Sequence, residues 1–228
     1  MSAPWYLTRK QYWSWVTDIQ MARPRLEEST RDDVLDAVDR LLGRYGYGKM
    51  SIADVAGEAG IGKGTVYLFF PSKEELVLSA IDRIAERLLA EARAIADGPG
   101  SVIARLRRCL LMRVMARFDG AQAHTPSLDE LLGALRPALL QRRAGHFNRE
   151  ARLLEKLLVE GRRRGDLSFL GARATADALV TATNALLPYS LSLGELGERQ
   201  VIQTRAARVI DLLIAGLRAG GPAKGAPP

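Results

Sequence analysis

The chain has 228 residues, 47% of them hydrophobic and 6% aromatic, with a formal net charge of +7. Its single cysteine, Cys109, excludes an intramolecular disulfide and a cysteine metal cluster, so a reducing, cytoplasmic location is the simplest interpretation. No apolar run approaches the roughly 18 residues that cross a membrane, and no membrane partner is expected. Abundant Ala, Leu and Arg, with few clusters of β-branched residues, favour an all-α fold.

The positive charge is unevenly distributed along the chain. Residues 1–75 carry 10 Lys and Arg against 11 Asp and Glu, whereas residues 76–228 carry 23 against 15. The N-terminal part is therefore not basic overall, and net charge alone does not assign it a nucleic-acid partner. Any phosphate contacts there must come from locally placed side chains.

The first predicted helix begins at Ser29 or Thr30 and ends near Arg44. Gly46 and Gly48 are expected to terminate it. Its apolar residues recur at helical spacing, and the stripe expected to be buried consists of Val34, Val38, Leu41, Leu42 and Tyr45.

Residues 51–76 predict two short helices joined by a tight turn and followed by a longer helix. Ser51 is a good N-cap, with Asp54 placed to complete a capping box. Gly60 fits the left-handed residue that ends the first of these helices. The second, 63–69, has about two turns and stops before a proline, and Ser72 is expected to cap the longer helix with Glu75 closing its capping box. This is a helix-turn-helix pattern, whose second helix is short enough to lie in a major groove.

The same stretch resembles the signature of the TetR/AcrR family of bacterial transcriptional regulators. The resemblance covers about 50 residues. The positions that match in register are Gly60, Gly64, Thr65, Tyr67, Phe70, Ser72, Lys73 and Glu74. It implies a palindromic double-stranded DNA operator, a small-molecule effector without a cofactor, and a homodimer in which the last two helices pair with their copies. Leu213 is expected in that dimer interface.

The resemblance also implies which side chains meet DNA. The groove is assigned to Lys63, Thr65 and Tyr67. The DNA backbone is assigned to Ser51, Gly64 and Lys73, the last beside the free amides of a helix N-terminus. Two positions depart from the common pattern. Gly62 stands where a serine often caps the recognition helix, and Phe69 stands where many members carry His or Tyr, so that Phe69 would contact a thymine methyl group instead of a phosphate.

Six further helices are predicted after the helix-turn-helix, separated by breaks that contain glycine or proline. Their approximate ranges are 72–96, 101–118, 127–142, 145–164, 171–187 and 197–217. A loop is expected at 119–126, and Pro137 is expected to interrupt the third of these helices.

The predicted architecture is all-α with two functional parts. An N-terminal three-helix DNA-binding domain covers 25–71, and a helical ligand-binding and dimerisation domain covers 72–219. Residues 220–228 form a tail expected to be disordered. Residues 1–24 form an extension that holds all three tryptophans. For its first 20 residues three interpretations stay open: translation begins at Met21, or the segment is an aromatic arm that packs on the domain or reaches DNA, or it is a disordered tail.

Candidate effector-binding residues lie in the C-terminal part. Cys109 is either a small buried hydrophobe or a redox sensor. Five arginines crowd 105–117, and most are expected on a solvated face, although one or two turned inward would favour an anionic or acyl-thioester ligand. Four further side chains either line an adaptable pocket or belong to an ordinary core, and they are Met112, Met115, Phe118 and Phe147.

The leading hypothesis is a cytoplasmic, homodimeric repressor that a small hydrophobic or amphipathic effector releases from its operator. The alternatives are an activator of the same family and a helical small-molecule-binding protein without DNA-binding activity. An enzyme is not expected, because the chain lacks a nucleophile elbow, a phosphate-binding glycine loop and a His-Glu-x-x-His motif. The histidines, His124 and His146, are expected at the surface or at a pocket rim.

Overall fold

The computed structural model describes the backbone of residues 9–123, 125–186 and 197–218, with side chains for 27–122, 130–131, 133–186 and 197–218. The regular elements in these ranges are all helical, which confirms the predicted fold class. They are α1 (Arg9–Lys49), α2 (Ile52–Glu58), α3 (Lys63–Phe69), α4 (Lys73–Asp97), α5 (Val102–Ala123), α6 (Thr125–Arg163), α7 (Ala172–Asn184) and α8 (Arg199–Arg218). None of the helices searched in the described ranges is both long and apolar enough to cross a membrane.

Helix α1 begins earlier than predicted, at Arg9 instead of Ser29. Its helical conformation breaks at Gly46, as predicted, and a short helical segment continues to Lys49. Gly46 has φ 78° and ψ 172°, a conformation open to glycine because it lacks a Cβ. Tyr45, predicted to be buried, is 50% exposed. The start site at Met21 and the tail after 220 lie partly or wholly outside the described residues and stay predictions.

A first hydrophobic core joins α1, α2, α3 and the first half of α4. Val34, Val38, Val55, Val66 and Leu76 are all fully buried in it. Two residues of α6, Leu131 and Leu135, are buried in the same core. We call α1, α2, α3 and the first half of α4 the head. Helix α6 therefore packs against the head as well as within the C-terminal part.

Helix α6 corrects the predicted division of this region into two helices. It runs unbroken from Thr125 to Arg163 with Pro137 inside. A proline removes one backbone hydrogen bond, but Leu135 before it and Leu139 after it both pack against the first core, which holds the two halves of the helix in line. The predicted loop at 119–126 is mostly helical as well, and His124 lies outside the described residues.

A second core is formed by the remaining half of α4 with α5, α6, α7 and α8. Its corner between α4 and α5 depends on Arg105, which is 8% exposed. This guanidinium donates to the carbonyl oxygens of Ala96 at 2.5 Å and Gly100 at 3.3 Å, and to Glu160 Oε1 at 2.5 Å. It thus supplies hydrogen bonds to carbonyls that the end of α4 leaves without intrahelical partners.

An ion-pair cluster joins α4 to α6 between the two cores. Arg142 donates to Glu75 Oε1 and Oε2 at 2.8 and 2.7 Å and to Asp82 Oδ2 at 2.5 Å. His146 Nε2 lies 2.8 Å from Asp82 Oδ1. Ser72 caps α4 as predicted, its Oγ accepting from the Glu75 amide at 3.0 Å, but the Glu75 carboxylate contacts Arg142 where a closed capping box was expected.

The close approach of α6 to α5 predicts opposite effects for two glycine substitutions in α6. A Cβ on Gly161 would lie 2.6 Å from Leu167 Cδ1 and 3.3 Å from Val102 Cγ1, so Gly161→Ala should destabilise the chain by about 1–3 kcal/mol through overpacking. Gly145 has no atom within 4 Å of its Cβ position, so Gly145→Ala should stabilise by about 0.5–1 kcal/mol. Urea unfolding of both variants measures the difference, and equal stabilisation by both would contradict the close packing at Gly161.

Candidate functional site

Helix α3 is anchored to the first core by one side of its short length. Val66 is fully buried, and Phe70, which follows the helix, is 1% exposed. The turn between α2 and α3 has the predicted geometry, because Gly60 has φ 68° and the Ile61 amide donates to the Ala56 carbonyl at 3.0 Å. Gly62 is the N-cap and provides no side-chain hydrogen bond. The remaining side of α3 therefore faces away from the core.

The outward side of α3 carries one cation and two large side chains. Tyr67 is 46% exposed, and Lys63 Nζ lies 6.0 Å from its ring centroid, so the two share one face. Leu68 is 84% exposed, and sequence reasoning missed it because an isolated leucine was not considered for an outward role. A signal was present, since Leu68 follows buried Val66 by two residues, or roughly 200° around a helix.

Two predicted groove residues are less accessible than the others. Thr65 is partly buried, and its amide donates to the Gly62 carbonyl at 2.9 Å in the first turn of α3. Phe69 is partly buried against the first core, with its ring centroid 6.4 Å from that of Phe70. Part of the Phe69 side chain therefore serves packing within the head.

Two of the residues assigned to the DNA backbone already have intramolecular contacts. The Asp54 amide donates to Ser51 Oγ at 3.2 Å, while the Ser51 hydroxyl and amide donate to Asp54 Oδ2 at 2.7 and 2.8 Å. These hydrogen bonds lower the pKa of Asp54 and form the predicted capping box. Lys73 Nζ lies 4.3 Å from the Tyr47 ring centroid and 3.5 Å from the Gly48 carbonyl oxygen, which holds the start of α4 against the end of α1.

A small cavity of about 20 Å³ lies between α4, α5 and α6. Cys109 and Met112 line it, as proposed for an effector site, whereas Met115 and Phe118 are buried in the second core at 7% and 2% exposure and do not line it. Burial raises the pKa of the Cys109 thiol to about 11, and its Sγ lies 3.5 Å from the Ala92 carbonyl oxygen. A protonated, buried thiol fits the small-hydrophobe interpretation and is unsuited to redox sensing.

The polar wall of this cavity consists of Arg113, Arg117 and Glu150. Arg113 is 4% exposed and Arg105 is 8% exposed, so these two are the inward-turned arginines that were allowed for among the five of 105–117. Arg113 Nε donates to Glu150 Oε2 at 2.5 Å, and Arg117 donates to Glu150 Oε1. Burial is the largest influence on Arg113 and lowers its pKa to about 10. Phe147 lies under this group, with the Arg113 guanidinium carbon 5.0 Å from its ring centroid.

Helix α8 has an exposed apolar side. Leu212 is 73% exposed and Val201 is 49% exposed, and both line a surface groove with Val209. Leu213, predicted in the dimer interface, is instead partly buried against the second core of the same chain. The α8 residues available for a partner are therefore one position away from the predicted one.

A family comparison agrees with the geometry of the head. Residues 34–80 match the family described as bacterial regulatory proteins, tetR family. Residues 34–80 therefore carry the DNA-binding region typical of the TetR family. A curated relative, the HTH-type transcriptional repressor KstR of Mycolicibacterium smegmatis, is 29% identical over 106 residues, which cover 46% of this chain and 50% of KstR. The regulator AlkX of Mycobacterium tuberculosis is 31% identical over 111 residues, 49% of this chain and 51% of AlkX.

The match to these TetR-family relatives spans about half of their length. Solved structures match more of the chain. A TetR/AcrR regulator from Thermobifida fusca covers 82% of this chain and 98% of its own, with TM-score 0.63 and 24% identity. FadR from Bacillus subtilis, solved with stearoyl-CoA, covers 81% and 97%, with TM-score 0.61 and 16% identity. At these identities the likeness shows a common fold, and the TetR family consists of regulators and not of enzymes.

The Ser51–Asp54 capping box predicts a pH-dependent stability difference. Ser51→Ala should lower the free energy of unfolding by about 0.5–2 kcal/mol, because α2 loses its N-cap. The depressed pKa of Asp54 contributes stability above the ordinary carboxyl pKa, and this contribution is lost as the pH falls through the depressed value. The difference in the free energy of unfolding between wild type and Ser51→Ala should therefore be largest at pH 7 and should decrease below about pH 4.

Chemical denaturation across this pH range measures the effect, and Ser72→Ala is the matched control. Ser72 caps α4 through one bond to the Glu75 amide. That variant should lose comparable stability without the narrowing tied to Asp54. A Ser51→Ala difference that stays constant down to pH 2 would contradict the carboxylate's role.

Proposed function

We propose that this TetR-family chain is a homodimeric transcriptional repressor that binds a palindromic operator and is released by a small amphipathic effector. The observation that carries the proposal is the outward side of α3, where Lys63, Tyr67 and Leu68 stand together on a helix anchored by Val66. Lys63 can reach a guanine edge, Tyr67 a sugar or phosphate, and Leu68 a thymine methyl group. A short helix with such side chains suits a major groove.

Gly64 supports an intermolecular role for this side of α3. A glycine inside a helix costs about 1 kcal/mol relative to alanine. No described atom lies within 4 Å of a Cβ at Gly64, so packing within the chain does not call for a glycine there. Close approach of the α3 backbone to a DNA strand accounts for the glycine at position 64.

Positioning on the phosphates falls to residues beside α3. Lys73 begins α4 next to free helix amides, a favourable site for a phosphate, and its contacts with Tyr47 and Gly48 hold its Nζ at the junction of α1 and α4. Ser51 is a weaker candidate than its assignment implied, because its hydroxyl donates to Asp54. Thr65 and Phe69 are proposed for peripheral contacts, consistent with their partial burial.

A dimer follows from the limited reach of one head. A recognition helix of seven residues contacts few base pairs, and two copies about 34 Å apart read two half-sites. We assign the pairing surface to the exposed side of α8 around Val201 and Leu212. Burial of these side chains against a second copy removes apolar surface from water, at roughly 25 cal/mol per Å².

The repressor and effector roles draw support from relatives and from the cavity. KstR is named a transcriptional repressor, and FadR was solved with an acyl-CoA. Helix α4 connects the cavity, through Leu88 and Ala92, to the first core, through Leu76. An effector that parts the cavity walls would move α4 and change the spacing of the two heads, and the opposition between effector and DNA would be reciprocal.

Two lysine variants separate base reading from backbone positioning. Lys63→Ala should cost about 1–3 kcal/mol per half-site and relax the preference at one base pair. Lys73→Ala should weaken binding to operator and scrambled DNA about equally and reduce the salt slope by about one per half-site. Fluorescence polarisation at several salt concentrations, with fragments from the protein's own upstream region, measures both. Arg107→Ala, distant in sequence and paired with Asp211, is the control.

If Lys63→Ala lost affinity equally for operator and scrambled DNA, Lys63 would contact only phosphates and would not read a base. No binding of the wild-type chain to any fragment would favour a helical small-molecule-binding protein without DNA-binding activity. Transcription that rises when the chain is present would favour an activator.

The α8 surface predicts different outcomes for neighbouring leucines. Leu212→Glu should leave the fold intact and weaken the dimer, because the carboxylate would be buried only when two copies associate. Leu213→Glu should destabilise each chain by several kcal/mol, because it packs within the second core. Leu170→Glu, at a site 76% exposed and outside α7 and α8, is the control. Sedimentation velocity with thermal denaturation tests all three, and an unaltered dimer for Leu212→Glu would move the interface elsewhere.

A further inference from the structure

The cavity between α4, α5 and α6 has an apolar wall and a charged wall. The apolar wall consists of Leu88, Ala92, Cys109, Met112, Leu153 and Leu154. The charged wall consists of Arg113, Arg117 and Glu150. A cavity with these two ends suits a molecule that has a charged head and an apolar body.

Among the described residues that line the cavity, two arginines face one carboxylate. Glu150 is the carboxylate shared by Arg113 and Arg117. The other side-chain partners of Arg113 are neutral, namely Thr183 Oγ1 at 2.7 Å and Asn184 Oδ1 at 2.5 Å. The side chains of Arg113, Arg117 and Glu150 are only 5%, 8% and 11% exposed. An additional anion at this wall would lose its hydration, and its attraction to the second guanidinium would offset that cost.

A third guanidinium adds to this field. The guanidinium carbon of Arg143 lies 4.7 Å from the Phe147 ring centroid, on a ring that Arg113 also contacts at 5.0 Å. Both Arg117 and Arg143 disfavour the charged form of Arg113 electrostatically, whereas Glu150 favours it. Phe147 offers a ring quadrupole to these cations.

Arg105 on the same helix shows a different arrangement. Its guanidinium donates to two backbone carbonyls and to Glu160, and it does not line the cavity. Glu160 is 32% exposed and pairs with Arg164, which is 60% exposed, so water hydrates the second cation there. A structural role explains Arg105, but it leaves the two arginines beside the cavity unexplained.

We propose that this cavity binds an organic acid, with the carboxylate held by Arg113 and Arg117 and the apolar body against Met112 and Leu154. The proposal rests on the proposed function, because it names the chemical class of the effector. The guanidinium group suits bidentate recognition of a carboxylate. The incoming carboxylate competes with Glu150 for the same donors. At about 20 Å³ the cavity holds roughly one water molecule, so binding displaces Leu88 and Met112, which are only partly buried.

Calorimetric titration of the full-length protein with decanoate tests the site, with decanol as the uncharged probe of equal chain length. Decanoate should bind at least tenfold more tightly than decanol. Arg117→Met should weaken decanoate binding by roughly 10- to 100-fold, the equivalent of a lost charge-assisted hydrogen bond. Glu150→Gln removes the competing carboxylate and should tighten binding. Arg107→Met, on the same helix but paired with Asp211, should leave binding unchanged.

The outcomes distinguish failure of the proposed acid-binding site from failure of the proposed repressor function. Failure of decanoate to bind, equal binding of decanol, or weaker binding by Glu150→Gln would overturn the site. Binding of decanoyl-CoA that exceeds that of decanoate would overturn the carboxylate assignment in favour of phosphate recognition. Operator binding is measured separately by polarisation without ligand. Its absence beside charge-dependent decanoate binding would overturn the repressor and support the site, because the two measurements share no reagent except the protein.

Discussion

Helices α4 and α6 are each buried in both hydrophobic cores, and the rest of the structure depends on this sharing. Leu76 of α4 and Leu135 of α6 belong to the first core, whereas Leu89 of α4 and Leu154 of α6 belong to the second. Close-packed cores tolerate little sliding of one side chain past another. A displacement of either helix at the cavity would therefore have to be absorbed by the head, and this requirement would couple the two parts in the proposed repressor.

The ion pairs between α4 and α6 fix the register of this shared framework more than they stabilise it. Arg142 bridges Glu75 and Asp82, and Arg149 Nη2 lies 2.7 Å from Glu86 Oε1. Their side chains are between 28% and 53% exposed, and exposed pairs contribute about 0–1 kcal/mol each. The cores supply most of the cohesion, and the charges specify which turn of α6 faces which turn of α4. A change of register would separate several opposite charges together, which favours discrete arrangements over continuous sliding.

Local signals explain why the helix-turn-helix could be predicted from sequence and the continuity of α6 could not. The caps at Ser51 and Ser72 and the left-handed Gly60 act within a few residues, and each was correctly predicted. Pro137 gave an equally local signal for a break, but the packing of Leu135 and Leu139 on a distant part of the chain overrides it. The burial of Arg113 is also non-local, because its partner Glu150 lies 37 positions away. Helical periodicity cannot distinguish such an arginine from a solvated one.

The charge distribution of the chain gives a physical reason for a dimer. Residues 1–75 have one more acidic than basic residue, and the surplus of positive charge lies in residues 76–228. Non-specific affinity for DNA grows with the number of phosphates that cations neutralise, so a head with few available cations gains little from that source. In the proposed complex with DNA, Lys63 and Lys73 would then carry much of the contact, and one head alone would bind weakly. Two heads at a fixed separation gain affinity because the second contact becomes intramolecular. That gain disappears when the separation no longer matches the operator. In the proposed repressor, a change in the position of α4 would therefore be sufficient to release the DNA, and the effector would not have to alter any contact on α3.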